Sequence, residues 1–431
     1  MGHRHSIANQ LPITNYLLPI TNSLFFMKIL AISSTFPYPP TRGGTQLRTF
    51  NLLRYLRQRH TITVVTQRSE DVTDTEVAEL RESVGELMVF PQPQPSDTEG
   101  GIRSKVQRFS TFLQQGTPQS VLDLYSSAMQ QWLDETIEAG EFEVITCENS
   151  MNEIYVRPEW RQRWRTVVNI HSSVYRKYRH QLEMGASEKH LKNQLNLPLL
   201  RRYEERYCAK FTAIVVTTPT DRRQIDAYEP DGQITMIPNG VDLNQFPKRT
   251  SDPEGYRLVF IGTMDSQPNI DAVLFFSLEV FPEILQRYPE ATFDIVGARP
   301  VPEILELEER PGIAVVGRVN STVEYLHQAT ICVVPLRTSY GIKNKTLEAM
   351  AAGTPVVASD RGLQELAVDG ANVPLRALRA NESAEYVYAV SRLFEDRQLR
   401  KQLSENARAF VEKKYTWQRA GELYEQAIVG N

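Results

Sequence analysis

Short apolar runs alternate along the chain with longer amphipathic stretches. KILAIS (28–33) reads as a strand and is followed by the loop TFPYPPTRGG (35–44). TQLRTFNLLRYLRQRH (45–60) sets Leu47, Phe50, Leu53 and Leu56 at helical spacing, which predicts one apolar helix face. TITVVTQ (61–67) returns to strand. A strand, a glycine-bearing loop, a helix and a second strand make a βαβ unit, and such units build parallel sheets. ELMVFP (86–91), FEVITCE (142–148), TVVNIH (166–171), AIVVTTP (213–219) and TMIPNGVD (235–242) extend the series.

DPEGYR (252–257) reads as a linker, after which the pattern restarts. RLVFIGT (257–263), a helix over 270–288, TFDIVG (292–297), IAVVGRV (313–319), ICVVP (331–335), a helix from 343 and PVVAS (355–359) follow. These apolar runs lack polar alternation, as expected of parallel strands covered on both faces. Residues 396–428 read as helix, with a break near Tyr415 and Trp417. The fold class is therefore α/β, with two doubly wound domains facing each other across a cleft. The expected division is 27–250 and 251–412, with a final helix (about 413–431) returning to the first domain. In such sheets ligands sit at the carboxyl ends of the strands, at the switch point.

The length of 431 residues fits two or three domains, and 41% hydrophobic with 23% charged residues fits a soluble globular protein. A net charge of −4 argues against a nucleic-acid binder. Cys147, Cys208 and Cys332 lie far apart, which suggests buried thiols in a reducing compartment. No run of about 18 apolar residues is present to form a membrane span. The expected location is cytoplasmic. Residues 1–26 hold a near-duplicate, LPITNY and LPITNS, without signal-peptide architecture. They read as a disordered or mis-started extension, with a weak membrane-contacting tail as the alternative.

The candidate chemistry concentrates in PLRTSYGIKNKTLEAMAAGTPVV (335–357). Lys343, Asn344 and Lys345 open a helix, and Glu348 follows one turn later. A helix N-terminus with two ammonium groups suits a phosphate or diphosphate, and a carboxylate beyond it suits sugar hydroxyls. Together they suggest a nucleotide-sugar site. Gly43 and Gly44 lie in a strand-to-helix loop where bare backbone can approach a phosphate or sugar, although a tight turn would look the same. His171 ends a strand and can contact a sugar or move a proton, or merely cap the strand. Gly262 with Thr263, and Gly317 with Arg318, follow two strands of the second half. Thr263 can bond a phosphate. Arg318 can stack on a base or pair with a phosphate, or remain a surface arginine. Segment 157–210 carries thirteen Lys and Arg against five Glu. That patch suits an anionic bilayer or a phosphorylated acceptor, or is simply a solvated helix face. No DxD pair stands at a strand end, and no metal or other cofactor is expected. A P-loop and a G-x-S-x-G elbow are also absent.

Taken in order, IPNGVD, FIGTMDSQPNIDAVLFF (260–276), FDIVGARP (293–300), VVGRV (315–319) and NKTLEAMAAGTPVVAS resemble the retaining GT-B glycosyltransferases of family 4. The resemblance runs from Met27 onward. It implies transfer of a sugar from a nucleotide-sugar donor to a glycan, lipid-linked or other hydroxyl acceptor, with retention, without metal, in exopolysaccharide or cell-surface glycan synthesis. In the family's Glu-x7-Glu motif the second glutamate matches Glu348, the implied ribose ligand. The first falls on Tyr340. The family's Arg and Lys after the first strand of the second domain are also missing, since Gly262-Thr263-Met264 and Pro268-Asn269 stand there. Lys343 and Lys345 are the expected replacements. His171 matches the family's donor-sugar histidine, and Gly43 and Gly44 its glycine loop. Tyr340, Gly341, Ile342, Asn344 and Thr346 complete the expected donor contacts. A nucleotide-sugar epimerase or phosphorylase on the same fold, or a non-catalytic binding protein, remains open on the residues alone.

Overall fold

The computed structural model describes residues 26–93, 112, 116–183, 190–229 and 232–430; all of the extension 1–26 except Phe26 lies outside them. Seven strands form the first sheet: β1 (Lys28–Ser33), β2 (Thr61–Arg68), β3 (Glu86–Pro91), β4 (Val144–Glu148), β5 (Arg165–Ile170), β6 (Ala213–Val216) and β7 (Gln233–Met236). Their order is β3-β2-β1-β4-β5-β6-β7, all parallel. The second sheet holds β8 (Arg257–Ile261), β9 (Thr292–Val296), β10 (Ile313–Gly317), β11 (Ile331–Val334), β12 (Val356–Ala358) and β13 (Leu378–Arg379). Its order is β10-β9-β8-β11-β12-β13, again parallel. Burial of the apolar runs on both faces gives two cores flanking the first sheet and one core around the second.

Each sheet reverses its winding beside its first strand, at β1/β4 and at β8/β11. The carboxyl ends at those two points carry the loops of interest. Of TMIPNGVD only Thr235 and Met236 are strand: β7 ends at Met236, and the chain then crosses to the second sheet. The segment read as a linker is pinned. Asp252 accepts from Arg249 at 2.6 Å and pairs with Arg400 at 2.7 Å.

The chain crosses between the halves a second time at Tyr415–Trp417. There Val241 bridges Thr416, and a Cβ on Gly240 would lie 2.3 Å from the Trp417 nitrogen. The two crossings therefore touch backbone to backbone, where only glycine fits. The helix Trp417–Val429 then packs on the helix Gly44–Leu56, with Gly421 against the Tyr55 ring.

Candidate active site

Three glycines line the carboxyl ends of β8, β9 and β10. Gly262 donates its N–H to Val296 at 3.0 Å, and Gly297 donates to Gly317 at 2.8 Å. Gly297 has φ 156°, and a Cβ there would fall on the Gly262 carbonyl. A Cβ on Gly262 would lie 2.6 Å from Lys345 Nζ and 2.7 Å from Asn269 Nδ2. Missing side chains thus clear a shelf onto which a lysine from another element reaches.

That lysine comes from the helix Asn344–Ala352, formed by NKTLEAMAA and closed by Gly353 in the left-handed conformation (φ 77°). Leu347, Met350 and Ala351 are buried on its core side. Lys345 and Glu348, one turn apart, are half-buried. No side chain caps the helix start, so its first amides lack a side-chain acceptor. Lys345 Nζ lies 3.9 Å from the centre of the Phe260 ring and donates to Asn269 Oδ1 at 2.8 Å. Asn269 in turn donates to the Thr263 carbonyl at 2.8 Å. The lysine therefore sits where the resemblance has the absent Arg and Lys. Burial pulls its ammonium down to about 7, with Cys332 and Glu348 opposing. Burial pushes Glu348 up, with Lys345 opposing. Glu348 accepts no hydrogen bond from any described residue, so its oxygens remain available to hydroxyl donors.

Lys343 does not join Lys345 on the shelf. Its Nζ donates to the Gly341 carbonyl, and burial followed by the charges of Arg361 and Lys345 pulls it down to about 7. Thr346, expected at the donor, is fully buried and donates to the Gly362 carbonyl at 2.9 Å, locking the helix to its own domain. The Ile342 side chain likewise packs against the second core. Gly341 (φ 77°) donates its N–H to Gln364 at 3.1 Å. Thr263 and Arg318 are exposed, and Arg318 follows the edge strand β10, two strands out from β8.

Tyr340 turns to the other half. Its hydroxyl donates to Asp221 Oδ1 at 2.8 Å, across the cleft in the first half. Arg176 lies 4.4 Å over the Tyr340 ring and pairs with Asp221 at 3.3 Å. Asp221 is 1% exposed and accepts from Thr218 at 2.7 Å. Next to it, Thr220 donates to Glu365 of the second half. Where the resemblance has a glutamate, this chain has a phenol that fastens one half to the other. Glu204 supports the first-half side by accepting from Ser173 (2.9 Å) and from the Tyr175 amide (3.2 Å), which fixes the helix start that carries Arg176.

On the first-half side, His171 directly follows β5, and both its ring nitrogens are shielded and without a partner among the described residues. Burial, then the nearby Arg48 charge, holds it well below the usual histidine range, so the ring is neutral at pH 7. Gly43 is extended (φ 178°), and Gly44 opens its helix with nothing within 4 Å of a built Cβ. Neither glycine is demanded by strain; Gly44 leaves open space at a helix N-terminus. Sequence reasoning missed Arg48, Asp221, Asn239 and Asn269. Asn269 stands out in the sequence only as one of the residues in the place of the missing cations, and its contact with Lys345 gives it a part in the site.

The basic segment is largely bracing in its described parts. Arg157 pairs with Asp134 (2.7 Å), Arg206 donates to the Gly116 carbonyl (2.9 Å), and Arg165 donates to the Ala427 carbonyl (2.7 Å). Among the described residues no group of three His, Cys, Asp or Glu stands ready to hold a metal, and no helix is long and apolar enough to cross a membrane.

Two facing parallel sheets with ligand-directed loops between them are the GT-B architecture. Solved structures agree: HepE from Anabaena, solved with UDP and glucose, superposes with a TM-score of 0.63 over 94% of this chain and 100% of its own, at 16% identity. Sucrose-phosphate synthase from Thermosynechococcus elongatus gives 0.63 over the same shares, at 18% identity. Residues 42–245 match the family model Glycosyltransferase Family 4, and residues 255–396 match Glycosyl transferases group 1. The chain belongs to this family, the group 1 glycosyltransferases of family 4. A phosphatidyl-myo-inositol mannosyltransferase of Mycolicibacterium smegmatis is 31% identical over 173 residues, 38% of this chain and 42% of that protein. An uncharacterized glycosyltransferase of Methanocaldococcus jannaschii is 29% identical over 210 residues, 44% of this chain and 52% of that protein. The matched stretches thus span about half or less of these curated relatives.

Proposed function

We propose that the protein transfers a sugar from a nucleotide-sugar donor to a hydroxyl of a glycan or lipid-linked acceptor, with retention of anomeric configuration, in cell-surface glycan synthesis. The observation that carries this reading is Lys345, laid over Gly262 at an uncapped helix start, with the unbonded Glu348 carboxylate one turn away. The donor diphosphate lies against the glycine row, the first amides of the Asn344 helix and Lys345. The Glu348 carboxylate accepts from the ribose hydroxyls. Neutral His171 faces the sugar from the other half and exchanges hydrogen bonds with its hydroxyls without adding charge.

In the transfer step the bond from the anomeric carbon to the diphosphate oxygen breaks, and the acceptor oxygen bonds to that carbon on the same face. The acceptor proton passes to the departing phosphate oxygen. Negative charge grows on the diphosphate as the bond breaks, so a fixed cation and preset N–H donors lower the barrier. Removing one such contact costs on the order of 3 kcal/mol of barrier. The Tyr340–Asp221 fastening holds the halves together and limits water entry. HepE was solved with UDP and glucose, which supports a nucleoside diphosphate in this place. The mannosyltransferase relatives, whose name includes a phosphatidylinositol, support a lipid-bearing acceptor.

The test is a thermal-shift and turnover panel of UDP-, GDP- and ADP-sugars on the wild type and Lys345→Ala. Stabilisation and slow hydrolysis by one donor class, both lost in the variant, are expected. No response to any donor sinks the reading. Interconversion of donors without acceptor indicates an epimerase, and binding without turnover a binding protein. Co-sedimentation with phosphatidylglycerol vesicles tests peripheral membrane contact separately.

A further inference from the structure

We infer that Arg48 is a positioning residue, fixing from the cleft floor both the strand end that leads to His171 and the first residue of the Asn344 helix. The inference rests on the reading of that helix as the donor side. Arg48 lies in the helix Gly44–Leu56 and is 1% exposed, rare for an arginine. Its Nε donates to Asn169 Oδ1 at 3.0 Å, and its Nη1 donates to Asn239 Oδ1 at 3.0 Å. Asn169 lies on β5, two residues before His171, and donates to Glu148 Oε2 at 2.8 Å. Glu148, fully buried, also accepts from the Tyr424 hydroxyl of the final helix. In the other direction, Asn239 lies in the crossing segment and donates to Asn344 Oδ1 at 3.3 Å. One continuous chain of hydrogen bonds therefore runs from the final helix, through the floor of the first sheet, to the start of the Asn344 helix.

A buried guanidinium is costly unless paired and hydrogen-bonded. Apolar residues would pack this floor at lower cost, so the arginine calls for another explanation. The planar fork supplies one: it holds two acceptors at a fixed separation, which lysine cannot do. One acceptor belongs to β5, the other to the segment that leaves the first sheet for the second. Arg48 thereby ties the position of His171 to that of Asn344. Its third nitrogen, Nη2, is buried without a partner among the described residues. Its charge also reaches His171 and favours the neutral ring, in keeping with the role given to that histidine.

Hydrogen–deuterium exchange on the full chain, without donor, tests the inference. The readout is the peptide covering 340–350, on the opposite sheet from Arg48. Arg48→Met and Asn239→Leu should each speed its exchange by roughly threefold to tenfold, the equivalent of one hydrogen bond. The double variant should add little beyond either single change, because both cut one connection. Arg48→Lys should recover only part of the protection. Unchanged exchange at 340–350 in either single variant, or effects that add, overturns the inference. Asn239→Leu leaves the Arg48–Asn169 bond in place and decides the matter if Arg48→Met fails to fold. Silence of the wild type toward every nucleotide sugar would defeat the transfer reading and leave the exchange result standing.

Discussion

The two walls of the cleft are assembled differently. In the second half, the key groups Lys345 and Glu348 lie on one helix, and their partners Gly262 and Asn269 sit seven residues apart after β8. In the first half, Arg48, Glu148, the pair Asn169 and His171, Asp221 and Asn239 come from five separate places in the chain. A helix start fixes its chemistry by local spacing. Strand ends gather theirs through the sheet order, which brings β1, β4, β5 and β6 side by side. The second-half wall is therefore compact and charged, and the first-half wall is a hydrogen-bonded framework around a neutral histidine.

This contrast predicts a graded response to substitution. Lys345→Ala and Glu348→Gln should be the most severe, with turnover reduced by roughly 10²–10³-fold for the lysine and melting largely preserved. A loss at His171→Ala as large as at Lys345→Ala would erase the distinction between the walls. Tyr340→Phe comes next. It leaves Asp221, buried, with one partner fewer, a cost of about 1–3 kcal/mol that should appear as lower kcat/KM. Asp221→Asn on the Tyr340→Phe background should do less than Asp221→Asn alone. Full independence of the two would mean that the fastening does not matter to catalysis.

The pH dependence follows from the lysines. Lys343 is held at about 7, below its ordinary 10.5. The unfolded chain therefore binds more protons between these values, and this group's contribution makes the free protein gain stability as pH rises through that window. A bound diphosphate favours protonated Lys345, whose ammonium burial also pulls down to about 7. Affinity for a nucleoside diphosphate should accordingly fall as pH rises above about 7, with proton uptake on binding at pH 8. Calorimetry in two buffers of different ionisation enthalpy reads that uptake; proton release would contradict it. The smallest effect is expected at Thr263→Val, less than about twofold in turnover, because an exposed hydroxyl contributes little.

The sequence pattern made the strands of the second half legible, since they are continuous apolar runs. Gly262, Lys345 and Glu348 lie together in one corner of the cleft. Lys343 is placed at the site by its position at a helix start, and Tyr340 and Thr346 by the family resemblance. Spacing shows which residues open a helix, not which carbonyl or carboxylate lies within reach, and all three side chains turn to protein partners. Arg48 was invisible because an arginine among Leu47, Phe50 and Leu53 reads as solvated until the sheet closes over it. TMIPNGVD read as strand because Thr235, Met236 and Ile237 continue β7, but Pro238, Asn239 and Gly240 then take the chain out of the sheet.

The central claim is that Lys345 reaches the diphosphate position only because residue 262 is glycine. Nucleoside diphosphate affinity, measured by calorimetry for Gly262→Ala, Lys345→Ala and the double variant, tests it most directly. Gly262 does not lie in the left-handed region, so alanine fits its backbone and acts only through its Cβ. Each single change should weaken binding by roughly tenfold or more, and the double should be no weaker than Lys345→Ala. Wild-type affinity in Gly262→Ala, or losses that add in the double variant, would contradict the account.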